Sequence, residues 1–169
     1  MRRTPQQLRR TAYHEAGHAV QAERLGVRFT RVTIRSEGDS LGCVSLCDWM
    51  PNGDDLAATV EGRDGMERDM MVSLAGQAAE RRKMGRASRH GWSGDRDSVV
   101  ELALRFAGTG EQATVYVRWL ELRVRDFISS PLGWSWVDAV ARELLERETL
   151  TEDEVKAAMT AVVENLSQL

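Results

Sequence analysis

The segment Tyr13-His14-Glu15-Ala16-Gly17-His18 places two histidines four residues apart, with a glutamate directly after the first. On a helix, positions i and i+4 lie one turn apart on the same face, so His14 and His18 can bring two imidazole nitrogens to one tetrahedral Zn²⁺. Glu15 is then aimed at the metal-bound water, whose proton it would take during attack on an amide carbonyl. The pattern makes sense only if this stretch is helical.

The flanks argue for a helix independently. Thr4-Pro5-Gln6-Gln7 is a capping box with proline at the first helical position, where a missing N–H costs nothing. Leu8, Ala12, Tyr13, Ala16, Ala19 and Val20 form one apolar arc at helical period, and Gly26 is a stop signal. His14 and His18 lie opposite the centre of that arc, whereas histidines used as core filler would lie on it. The plainer reading is two histidines exposed by accident, in a chain that has only three.

A chain of 169 residues, 42% hydrophobic and 29% charged, is long enough for one domain with a real core. That domain is expected to span 1-169, with a metal-site half over 1-107 and a helical half over 108-169. A net charge of −3 gives no electrostatic reason to expect nucleic acid, and Arg81-Arg82-Lys83 reads as a solvated helix end. Met1-Arg2-Arg3 leads into no apolar signal region, and no stretch approaches the length needed to cross a bilayer. The expectation is a soluble cytoplasmic protein without a membrane contact.

Along the chain, Phe29 to Arg35 alternates as a strand, Ser36 to Asp39 reads as a turn, and Leu41 to Leu46 as a second strand, giving a hairpin. Cys43 and Cys47 would fall on one face of the second strand about 13 Å apart, beyond disulfide reach, so reduced structural cysteines are expected. Pro51 to Gly65 reads as a loop with at most one short helical turn. Met66 to Met84 is a helix in which Gly76 and the alanines allow close approach of another backbone. After a polar loop from Gly85 to Gly94, the next helix runs from Asp97 to Ala107. Helix continues from about Gly110 to Ile128, breaks at Ser129-Ser130-Pro131 and resumes. A second capping box, Thr151 to Glu154, opens the last helix to about Leu166. Trp119, Trp134 and Trp136 are spaced as helix-packing residues. The fold class expected is α+β: a mostly helical, zincin-like domain with a small β-hairpin or sheet beside the histidine helix.

Several segments resemble, in order, the peptidase domain of the FtsH-type, M41-like zinc peptidases. They are Ala12 to Val20, Val32-Thr33-Ile34 leading to Leu41-Gly42, Leu74-Ala75-Gly76-Gln77-Ala78-Ala79-Glu80, Gly94 to Asp97, and Leu144 to Leu150. The resemblance implies a third zinc ligand, an aspartate at the start of a later helix in a Gly-Ala-x-Asn-Asp-Leu-like string. Here the text is Ser93-Gly94-Asp95-Arg96-Asp97-Ser98, one residue shorter, which leaves the register open. Asp97 is the preferred ligand, with Asp95 explained as the N-cap. His90 is the third candidate, in a loop with no matching family position.

The resemblance implies a Zn²⁺ endopeptidase acting on flexible or unfolded protein segments, with Glu15 as base and His14, His18 and Asp97 as ligands. The family's ATPase ring and membrane anchor have no counterpart here, so such an enzyme would work without ATP, or depend on a separate unfoldase. Peptide would bind as an added strand beside one edge of the 29–47 hairpin. Other readings are a catalytically inactive domain kept for binding, and a peptidase that cuts one regulatory partner. Assembly into a homo-oligomer is compatible with the resemblance.

Overall fold

The structure, a computed structural model, describes residues 3–36, 41–46, 59–87 and 93–168. Among them are six helices and a three-stranded antiparallel sheet. The helices are α1 (Pro5–Leu25), α2 (Val60–Met84), α3 (Ser93–Phe106), α4 (Gly110–Ser129), α5 (Pro131–Arg147) and α6 (Glu152–Leu166). The strands are β1 (Phe29–Thr33), β2 (Cys43–Leu46) and β3 (Thr149–Thr151), in the order β2-β1-β3.

α1 is the axis of the domain. Its capping box forms as the sequence predicts: the Gln7 amide donates to the Thr4 hydroxyl at 3.2 Å, and the Thr4 amide donates to Gln7 Oε1 at 2.8 Å. Gly26 closes the helix at φ 70°, a left-handed conformation that glycine adopts without steric cost. From Thr11 to Ala22 every residue is buried. The apolar arc seen in the sequence is therefore only one side of a helix enclosed on all sides. What seals the histidine side is α2: a Cβ on Gly17 would stand 2.6 Å from the Ala75 carbonyl oxygen and 2.8 Å from Ala79 Cβ. The two backbones approach closely because small residues face each other across the seam. α5 covers another side, with Trp134 stacked on Tyr13 at 5.6 Å between ring centroids. The Tyr13 hydroxyl bonds Asp138, and Lys83 Nζ of α2 sits 4.4 Å from the centre of the Tyr13 ring, so one aromatic side chain joins three helices.

The sheet lies across one side of α1. Val32 pairs with Val44 on one side and Leu150 on the other, and Phe29, Val32 and Leu150 are buried beneath it. β3 is a strand the sequence reading missed; its three residues follow directly on α5, and the Thr33 and Thr149 hydroxyls meet at 2.7 Å. The Thr151 capping box then opens α6 as expected. Both strands of the hairpin are shorter than predicted.

Two helices begin earlier than the sequence suggests. α2 starts at Val60 rather than Met66, because the Thr59 hydroxyl accepts from the Gly62 amide at 3.0 Å. α3 starts at Ser93 rather than Asp97, with consequences for the site. Of the tryptophans, Trp136 donates to the Met159 carbonyl at 3.0 Å, but Trp119 is 48% exposed rather than packed inside. Cys43 is half-buried, and Cys47 lies outside the described residues. Among the described residues no helix is long and apolar enough to cross a membrane.

Candidate metal centre

Three side chains from two helices converge on one point. Mid-helix on α1, His14 Nε2 and His18 Nε2 are 3.0 Å apart. Asp95, in the first turn of α3, brings Oδ2 to 3.2 Å from His14 Nε2 and 3.4 Å from His18 Nε2. One ligand atom from each of the three lies within 4.8 Å of the others.

Asp97, the expected third member, is not in this cluster and is exposed. Two residues further along a helix is about 200° round its axis, so only one of Asp95 and Asp97 can face α1. Because α3 begins at Ser93, Asp95 is inside the helix rather than capping it, and it shares a face with buried Val99 and Ala103 at i+4 and i+8. The helix N-terminus favours a carboxylate at that position. His90 lies outside the described residues.

The outer nitrogens fix how the rings are used. His18 Nδ1 donates to the Val72 carbonyl at 2.7 Å, so the lone pair of that ring is on Nε2. His14 Nδ1 lies 3.3 Å from Glu80 Oε2, a carboxylate buried to 2% exposure, whose other oxygen is 3.3 Å from Arg10 Nε. With each Nδ1 hydrogen committed outward, two nitrogen lone pairs and a carboxylate oxygen face one another at the centre. Such a set is stable only around positive charge. Burial by itself would lower the His14 pKa, but the hydrogen bonds to Asp95 and Glu80 outweigh that and push it up to about 10. Burial likewise acts to raise Asp95, yet the hydrogen bonds from the two histidines hold it well below the usual carboxylate range. Two neutral imidazoles and one carboxylate also match the donor set of a divalent zinc site with an open fourth position.

Gly76 of α2 leaves room for this cluster. A Cβ there would stand 2.6 Å from His18 Cε1 and 2.9 Å from His14 Nε2, and closer still to His18 Nε2. Glu15 lies on the sheet side. It is 6% exposed, and burial raises its carboxyl pKa, partly opposed by the two histidines. A Cβ on Gly42, just before β2, would be 2.9 Å from Glu15 Oε1, which places the carboxylate against the start of that strand.

Three contributors had no role at the site assigned from sequence. Glu80 stands four residues after Gly76, on the same helical face, and that spacing was its signal. Gly42 follows the hairpin turn with no local feature to mark it. Val72 acts through its backbone carbonyl, which sequence does not reveal.

A buried helix presenting two histidines and a glutamate beside a small antiparallel sheet, with a carboxylate added from a later helix, is the arrangement of a peptidase-like domain. The family follows from sequence: the profile of Peptidase family M41 matches residues 1–107, which carry α1 to α3, β1 and β2, and the chain belongs to that family. No curated protein matches closely enough to add to this.

Proposed function

We propose that this chain is a zinc endopeptidase that hydrolyses flexible or unfolded segments of protein. The observation that carries the reading is the convergence of His14 Nε2, His18 Nε2 and Asp95 Oδ2 with both imidazole Nδ1 atoms held from outside. His14, His18 and Asp95 would hold the ion, with Glu80 and the Val72 carbonyl orienting the rings. Zinc in such a site supplies a water molecule that is acidic at neutral pH.

The remaining work falls to the chain's own groups. Glu15 is one residue past His14, about 100° round the helix, so it points beside the ligand face and not into it. Its carboxylate would serve as the proton acceptor, and burial makes it a better one than an exposed glutamate. Among the described residues β2 lies at an edge of the sheet, and Glu15 sits against Gly42 just before it, so an extended peptide paired to β2 would pass the base. An edge strand captures only segments that are already extended. Folded substrates would need prior unfolding by another protein, and one regulatory partner with an exposed loop is a substrate of the same kind.

Two experiments test the proposal. Glu15→Gln keeps the shape of the side chain and removes the base. Zinc content and melting temperature should match wild type, while cleavage of denatured casein, followed by mass spectrometry, falls by about two to four orders of magnitude. Equal rates would remove Glu15 from the role. For ligation, His14→Ala, His18→Ala and Asp95→Ala should each lose most bound zinc, whereas Asp97→Ala should keep it. Zinc lost from the Asp97 variant and retained by the Asp95 variant would reverse the assignment.

A further inference from the structure

On the flank of α2 turned away from α1, the helices α2, α3 and α4 enclose a groove of about 830 Å³. Its floor is made of short or branched apolar residues: Leu74, Ala78, Val99, Ala103, Ala113 and Val117. Val100 and Leu104 on the α3 wall are 43% and 52% exposed. Along α4 the lining runs from Gly110 through Thr114, Val117 and Glu121 to Arg125, a stripe of about 22 Å at the rise of an α-helix. The space is half-open to solvent rather than a closed cavity.

The rim is basic. Arg81 and Arg82 stand on the α2 wall, Arg96 on α3, and Arg118 and Arg125 on α4, against the single acidic lining residue Glu121. This reverses the sign of the chain as a whole, whose net charge is −3. Arg118 and Glu121 pair at 2.9 Å on the surface, where such a pair contributes little and yields readily to a competing carboxylate. Arg82 is held by the Ile128 carbonyl and the Trp134 ring, so its charge is fixed at the edge.

We infer that this trough docks an acidic amphipathic helix of a partner protein, with its apolar stripe on the alanine floor and its carboxylates against the arginine rim. The length suits about four turns of helix, and the small residues of the floor let leucine-sized side chains seat between α3 and α4. Arginines on all three walls match an occupant with several carboxylates spread along its sides. A fatty acid would bring one charge to one end and leave the others unanswered. Opposed charge along both rims also sets the orientation of the incoming helix and speeds its association.

The test uses the whole chain and a fluorescein-labelled helical peptide of about twelve residues, with leucines at i, i+3, i+4 and i+7 and glutamates elsewhere. The glutamate peptide should bind saturably, more weakly as salt rises, while the same peptide with lysines in place of glutamates should not bind. Arg81→Glu combined with Arg118→Glu should weaken binding at least about tenfold at an unchanged melting temperature, since both side chains are on the surface. Leu104→Asp, on the exposed part of the α3 wall, should weaken it as well. Asp95→Ala should bind the peptide as wild type does, separating the trough from the metal centre; loss of binding there would tie the signal to the metal centre and overturn the inference. Equal binding of the two peptides, or binding undiminished in the arginine variants, would also overturn it. So would the absence of saturation up to about 1 mM. Displacement of the peptide by palmitate at concentrations well below the peptide's own dissociation constant would reassign the trough to an acyl ligand.

Discussion

The two flanks of α2 are both rich in small residues, and their outcomes are opposite. Toward α1, Ala75, Gly76 and Ala79 lie in a seam so close that added methyl groups on the facing Gly17 or on Gly76 would overlap backbone or histidine atoms. Away from α1, Ala78 meets Ala103 and Ala113 across a trough of about 830 Å³. Small residues permit close approach but do not cause it. In the seam the approach is enforced by bonds that cross it: His18 to the Val72 carbonyl, and His14 to Glu80, which also holds Arg10. The trough instead has an apolar floor below an arginine rim. A polar network that must be satisfied inside a helix pair fixes the separation; apolar walls alone leave it adjustable.

The largest effect expected from this contrast is at Gly76. Gly76→Ala adds one methyl where His18 Cε1 would be 2.6 Å away, and the His18 ring cannot swing aside without breaking its bond to Val72. Zinc affinity, measured by competition with a chromogenic chelator, should drop about a hundredfold or more, with helical content retained. Wild-type affinity would mean that the seam opens easily and that the contrast between the flanks is false.

A smaller effect belongs to Glu80. Glu80→Gln keeps an oxygen able to accept from His14 Nδ1 but removes the charge that also binds Arg10. Zinc affinity should fall about tenfold, the usual scale for a partner that orients a ligand without touching the ion. No change would assign Glu80 to packing alone; a loss as large as that of His14→Ala would make it a ligand in its own right.

What the sequence made legible follows the same division. The histidine helix and both capping boxes are local: each is written in residues within one or two turns of each other, and each formed as read, while the hairpin formed with shorter strands. The residue brought to the histidines is Asp95 rather than the expected Asp97, because the start of α3 depends on tertiary contact. Seven apolar residues between Val99 and Ala107 wrap most of that helix, so periodicity did not distinguish the face of Asp95 from the face of Asp97. The decisive pattern was the i, i+4, i+8 series of Asp95, Val99 and Ala103, visible only once α2 is known to lie beneath it. β3 was missed because three residues paired with a strand more than a hundred positions earlier carry no alternation of their own.

The smallest expected effect is at Ala78, and it is the sharpest test of the open flank. Ala78 is half-buried and lines the trough, two residues from Gly76 and about 200° round the same helix. In a closed seam an alanine-to-leucine change forces neighbours off their rotamers and costs about 1–3 kcal/mol. In an open trough the added carbons enter existing space, so Ala78→Leu should change stability by no more than about 0.5 kcal/mol. Zinc content should be unaffected, because the substitution points away from the histidines. Denaturant unfolding, read beside Gly17→Ala as the closed-seam control, measures the difference directly. If Ala78→Leu destabilises as much as Gly17→Ala, the trough is filled in the folded protein in solution, and the two flanks of α2 are sealed alike.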